Sequence, residues 1–240
     1  MMKKLLIAAL IASAFTTGMA TANELSERSL VKRAYTLKNG EIQVGAALGY
    51  GETDDENHWQ FNAGARYGLT DDLTIGLGDI RYRALSRAEN GNGLELTIGG
   101  GLKGYMERLN LGGDDEVLGY GLDIAGKYVM SDRVALTFGT EYVFWNDIGS
   151  DNRKEFRYSV GGLYEPIRNV TLMASYTYRD LEDFTQSSAY DISAGVNYSL
   201  NKRTDIGLAF GYSDFDAVEN GFKPEYAHKR SVGAYVSYRF

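Results

Sequence analysis

From residue 41 onward the chain alternates apolar positions with small or polar ones at a period of two. That spacing sends successive side chains to opposite faces of a β-strand. Ile42, Val44, Ala46, Leu48 and Tyr50 share one face, with Gln43, Gly45, Ala47 and Gly49 on the other. Trp59, Phe61, Ala63, Ala65, Tyr67 and Leu69 repeat the pattern against Gln60, Asn62, Gly64 and Arg66. It runs on through 94–106 and 117–130 and returns near 134–146, 155–166, 170–180, 188–200 and 204–214. No helical period appears in these segments. Leu73, Ile75 and Leu77 share a face that Ile80 and Tyr82 leave. A bulge at Gly78-Asp79 is expected to reconcile the two sets and to turn Arg81 and Arg83 to the opposite side.

A soluble sandwich also needs one apolar face per strand, so alternation alone does not choose an environment. Two further features do. The strands run to about 11–14 residues, above the soluble norm and long enough for a tilted membrane span. Their apolar faces also carry aromatics near the ends, as interfacial girdles require: Tyr50, Trp59, Tyr67, Tyr142, Phe144, Tyr178, Tyr190, Tyr198, Tyr212 and Tyr238. Connections alternate as well. Tight polar turns at 70–72, 131–133, 167–169 and 201–203 contrast with longer loops at 85–93, 147–153, 181–187 and 215–228, the asymmetry of short periplasmic turns and long outer loops. The predicted fold is a transmembrane antiparallel up-and-down β-barrel.

Eleven strand segments are visible, and a bacterial barrel of this kind takes an even number. Adding 30–38 as a first strand, splitting 93–111 around Lys103, or assigning 94–111 to a long outer excursion would each repair the count. Twelve strands are predicted, with ten as the alternative.

The start of the chain reads differently. In residues 1–22, Lys3 and Lys4 precede the apolar run 5–15, and Ala20-Thr21-Ala22 supplies a small-residue cleavage pattern. An 11-residue run is too short to cross a bilayer as a helix, so 1–22 is expected to be a signal peptide and 23–240 the barrel. The chain has no cysteine, hence no disulfide framework despite export. Its formal charge of −7 argues against a nucleic-acid partner.

The chain ends Val232-Gly233-Ala234-Tyr235-Val236-Ser237-Tyr238-Arg239-Phe240. A terminal Phe240 with apolar residues alternating back through Tyr238 and Val236 resembles the last strand of small, porin-like Gram-negative outer-membrane β-barrel proteins. The resemblance implies that this strand is the signal read by the barrel-assembly machinery, and that the barrel sits in the cell outer membrane. The usual pattern has glycine where this chain has Tyr235. Residues 35–41 resemble the start of small transporter-like barrels linked to aromatic degradation, over too short a stretch to carry substrate or residue roles.

Inward parity collects Arg66, Arg81, Arg83, Lys103, Lys127, Arg157, Arg179, Lys229 and Arg239 with Glu41, Glu95, Asp123, Glu141, Glu165, Asp191 and Asp205. Arg66, Arg81, Arg83, Glu95, Lys103, Asp123, Lys127, Glu141, Arg157 and Arg179 are the candidates for selectivity. Near-balanced charge predicts weak ion selectivity, and the alternative to a wet pore is a salt-bridge network that closes the lumen. Inward glycines, Gly45, Gly49 and Gly64 among them, leave space in a twelve-stranded barrel. The functional expectation is a channel for passive diffusion of small hydrophilic solutes or ions. Its alternatives are a closed structural or surface-interaction barrel and, below these, a lipid hydrolase or protease.

An enzyme is not expected. His58 and His228 are the chain's two histidines, both near strand starts where they could share the outer rim, and no GxSxG, P-loop, HExxH or CxxC pattern occurs. No cofactor is expected. Acid-rich loops at Asp54-Asp55-Glu56, Asp114-Asp115-Glu116 and Asp180–Asp183 could bridge through divalent cations to lipopolysaccharide phosphates, yet they lack the ligand spacing of a metal loop. A surface-interaction protein would expose Phe222, Pro224 and Tyr226 from the loop 215–228. A monomer is the default, because a closed barrel has no open edge demanding a partner.

Overall fold

The computed structural model describes residues 29–53, 57–109, 116–146, 152–224 and 227–240. The expected signal peptide lies outside them, as do Asp54–Glu56, Asp114, Asp115 and Tyr226. The strands are β1 (Ile42–Glu52), β2 (Asn57–Thr70), β3 (Leu73–Gly76), β4 (Asp79–Leu85), β5 (Gly93–Glu107) and β6 (Glu116–Val129). They continue as β7 (Val134–Asn146), β8 (Arg153–Ile167), β9 (Val170–Glu182), β10 (Ser188–Ser199), β11 (Thr204–Ser213) and β12 (Arg230–Arg239). Each pairs antiparallel with its chain neighbour, and β12 returns to β1 to close the barrel.

Register follows the alternation. Val44 lies opposite Tyr238 and Ala65, and Leu48 opposite Ala234 and Phe61, so outward residues meet outward residues around the seam. A slip of one residue would turn every apolar face into the lumen. The outward set, including Leu48, Ile98, Leu122, Val160 and Leu208, is exposed. Apolar surface outside and closed ladders within the wall are what a bilayer demands, since hydrocarbon offers no partner to an unpaired backbone group.

Twelve strands are present, but none of the three expected repairs produces them. Strand β5 is continuous through Lys103, with one bulge between Leu102 and Gly104, and segment 30–38 forms no strand. The twelfth strand comes from the fault near residue 78, where the chain reverses instead of bulging. Ile75 pairs with Ile80 and Leu73 with Tyr82 across a tight turn. Gly78 takes a φ of 101°, and the Gly78 amide donates to the Gly76 carbonyl at 2.9 Å. On the facing strand Gly101 has a φ of 142°, and a Cβ there would stand 2.1 Å from the Gly78 oxygen. Only glycine accepts both the torsion and the approach. The reversal also moves the 86–92 connection to the barrel end that carries the tight turns, against its expected place among the long loops. The parity consequence holds: Ile80 and Tyr82 face out, and Arg81 faces in.

Two segments without a strand period fill the ends. Residues 29–38 enter the short-turn end, where Leu30 and Val31 pack on Val129, Ala135 and Leu163. At the long-loop end, residues 214–224 and 227–229 fold into the mouth. There Phe215, Ala217 and Phe222 pack on Met106, Val117, Val143, Trp145, Leu181 and Ala189. Phe222 is fully buried, which removes it from the surface that a surface-interaction protein would present.

Candidate functional site

Between the two plugs lies a cavity of about 580 Å³, bounded by Tyr35 toward the short-turn end and by Ser213 and His228 toward the other. Alternation positions its lining, because every second residue of a long strand must point inward. The charged lining is ordered. Arg81 donates to Thr97 at 2.8 Å and pairs with Asp123 at 2.8 Å. Lys103 bridges Asp123 and Glu141, the latter at 2.9 Å. Arg157 joins Glu141 at 2.7 Å to Glu155 at 2.7 Å, and Arg179 reaches Glu155 at 2.5 Å and Asp191 at 3.8 Å. Acid and base therefore alternate in one ladder from β4 to β10. Burial in a narrow lumen makes each charge costly unless it is paired, and here each has a partner on both sides or at the ladder's end.

The opposite wall carries almost no charge. There Gln43, Gly45, Ala47 and Gly49 of β1 continue into Ser231 and Gly233 of β12, Ala209 and Gly211 of β11, and Ser193 and Gly195 of β10. A solute would thus meet a polarised charged strip on one side and small neutral groups on the other.

The expected site residues separate into three places. Arg81, Lys103, Asp123, Glu141, Arg157 and Arg179 form the ladder, and Arg66 stands beside it, paired with Asp79 at 3.1 Å. Glu95 and Lys127 belong to the short-turn plug: Glu95 accepts from the Tyr35 amide at 2.6 Å, and Lys127 donates to the carbonyls of Leu30 at 3.1 Å and Arg33 at 2.7 Å. Arg83 sits at the rim, 2.8 Å from Asp72. Asp205 and Arg239 also join the plug, where Arg33 grips Asp205 at 2.5 and 2.7 Å. Glu165 holds the turn at Asn169, Glu41 accepts from the Lys38 amide at 3.2 Å, and Lys229 faces Asp216 at 3.8 Å.

Sequence reasoning missed Glu155, Arg33, Arg87 and the inward turn of Trp145. Glu155 shares parity with Arg157 and was open to the same argument. Trp145 likewise shares the inward parity of Glu141 and Val143 on β7, whereas Arg33 and Arg87 lie outside strands and had no periodic signal. The expected inward glycines do not all leave free space: Gly119 faces the Trp145 ring and Gly207 the Tyr235 ring.

The outer plug is held by polar contacts as well. Arg153 donates to the Asn220 carbonyl at 2.8 Å and lies over the Phe222 ring at 4.6 Å, while Arg179 lies over Phe215 at 4.4 Å. Asn220 accepts from the amides of Thr185 and Gln186 at 2.9 and 3.1 Å. At the base of this loop the rings of His228 and His58 stack at 6.1 Å. Burial, and then the neighbouring His58, hold the His228 imidazole below its ordinary pKa. In the other plug, burial and the nearby Glu95 push the Tyr35 phenol up, and Lys32 ties the segment to Asp132 on a turn, holding that carboxyl below its usual range. Near the C-terminus Val236 faces outward, and the Tyr238 and Phe240 rings meet edge-on at 4.8 Å.

A family model described as Gram-negative porin matches residues 12–218. No curated protein matches the chain. Among solved structures, outer-membrane expressed OmpT of Vibrio cholerae is 13% identical with a TM-score of 0.49, over 83% of this chain and 96% of that one. An anion-selective porin from Comamonas acidovorans is 11% identical with a TM-score of 0.43, over 83% and 98%. The CymD monoaromatic hydrocarbon channel is 12% identical with a TM-score of 0.49, over 94% and 96%.

Proposed function

Since the chain belongs to the Gram-negative porin family, we propose that it is a passive outer-membrane channel whose conducting core is the cavity beside the charged ladder and whose two plugs set its conductance. The observation that carries this reading is the cavity itself, about 580 Å³ in the middle of the barrel with a charged and a neutral wall. Arg81, Lys103, Arg157 and Arg179 alternate with Asp123, Glu141, Glu155 and Asp191. This balance supports weak ion selectivity and passage of small hydrophilic solutes by brief contacts, strong enough to admit and weak enough to release. The short turns then face the periplasm and the plug around Phe215 and Phe222 the exterior.

Absence of catalysis belongs to the same reading. His58 and His228 stack on each other at the rim, an arrangement that serves packing of the outer loop and supplies no oriented nucleophile. The alternation through Val236, Tyr238 and Phe240 supports a role as the assembly signal, and the outward apolar band supports contact with outer-membrane lipid, with lipopolysaccharide around the outer rim.

Conductance of the refolded barrel across a planar bilayer tests the proposal. Small, reproducible steps are expected, rising when Arg33→Ala cuts the grip on Asp205. A folded barrel that stays silent both with and without that change would overturn it.

A further inference from the structure

The barrel wall is closed at the periplasmic end and broken above the short β3–β4 hairpin. Strands β3 and β4 have 4 and 7 residues, between neighbours β2 and β5 of 14 and 15. The hairpin pairs with β2 no higher than Arg66–Gly76, with one more bond from the Leu77 amide to the Ala65 carbonyl at 3.1 Å. Among the described residues, no strand pairs with β2 from Asn57 to Gly64 on that side. Backbone groups in an antiparallel strand point alternately to the two neighbours. Those of Ala63, Phe61 and Trp59 therefore point the way Ala65 does, into the break. On β5, Met106 turns into the mouth and packs in the cluster around Phe222, and Arg108 bridges to Phe222.

This edge lies in the apolar band, between Trp59 and Tyr67 of the two aromatic levels. Trp59 is 70% exposed, Phe61 61% and, at the foot of the break, Leu77 58%. Unpaired strand edges are not tolerated against lipid tails, only where they line a water-filled space. The central cavity borders Ala65, Leu77 and Leu102 at the foot of the break. Just inside stand Lys103 and the Arg66–Asp79 pair at 3.1 Å.

We propose that this slot is a lateral route through which small amphipathic molecules pass between the outer leaflet and the lumen. The apolar body would slide past Phe61, Leu77 and Leu102 while a polar end is received by Lys103, Arg66 and Asp79. The inference rests on the channel reading and adds a second class of solute to it, reached without passing the outer plug.

The chain has no cysteine, so a single thiol can be placed and modified after folding. Ala63→Cys, labelled with pyrene maleimide in the refolded protein, would block the slot. Ile206→Cys, outward on β11, is the labelled control. In vesicles, N-phenyl-1-naphthylamine reports the amphipathic solute, and arabinose-driven swelling reports axial diffusion. Labelling at position 63 is expected to abolish protein-dependent transfer of the naphthylamine and to leave swelling and conductance as before, with the control moving neither. Unchanged naphthylamine transfer, or equal loss of both transports, overturns the slot. Absence of swelling and conductance in the unlabelled wild type overturns the channel reading instead.

Discussion

Glu155 shows how a single side chain holds the lumen in order. It is fully buried and takes hydrogen bonds from Arg157 at 2.7 and 3.0 Å, Arg179 at 2.5 Å and the Trp145 indole at 3.1 Å. Removing one partner of a buried charge network costs roughly 3–5 kcal/mol, because the remaining charges keep their burial and lose their compensation. Glu155→Gln is therefore expected to lower the temperature at which the folded band converts on a denaturing gel. It also leaves Arg157 and Arg179 in excess, so the reversal potential in a salt gradient should move toward anions. A second residue sets a pH dependence. His228 has a depressed pKa in the fold, through burial first and His58 second, so the folded state favours the neutral ring. Its contribution is complete above the unfolded value of about 6.5 and is lost as pH falls through the lower, folded value. Protection factors of the amides in 214–224 and 227–229 should fall over that interval, and His228→Gln should remove the fall.

At the scale of elements, strands were legible and the reversals that make their number were only partly so. A strand of 14 residues such as β2 repeats its instruction many times, and its faces followed from Trp59 to Leu69 without error. The β3–β4 hairpin offered four residues on one side, and its parity break at Gly78 has two physical solutions, a bulge or a turn, with the same consequence for Arg81. What chose the turn is Gly101, a residue distant in sequence that lets the facing backbone approach the Gly78 oxygen. No local pattern announces such a contact. Gly101→Ala is expected to cost about 1–3 kcal/mol from the φ of 142° alone, and more from the clash with backbone that cannot rotate away. Urea unfolding followed by tryptophan fluorescence measures the loss. A much smaller cost would mean that the reversal is soft. The ladder was legible where its members lie on strands, as with Lys103 and Glu141, and incomplete where parity was not followed through to Glu155.

The whole molecule behaves as two constrictions with a chamber between them, a property that strand periodicity could not reveal because neither plug is periodic. The plug 29–38 is polar in its anchoring: Arg33 meets Asp205, which also takes Arg239 at 2.8 Å and the Ser199 hydroxyl at 2.6 Å. The outer plug is apolar in its anchoring, with Phe215 and Phe222 buried among Met106, Val143 and Trp145. Resistances in series add, so opening one mouth leaves the other limiting. Arg33→Ala alone and Phe222→Ala alone, the latter forfeiting about 3–5 kcal/mol of packing, are each expected to raise single-channel conductance modestly. The double variant should raise it by far more than the two gains together, although the sites share no contact and their effects on stability should simply add. Conductances that rise equally in either single variant and the double would show that only one plug obstructs the path.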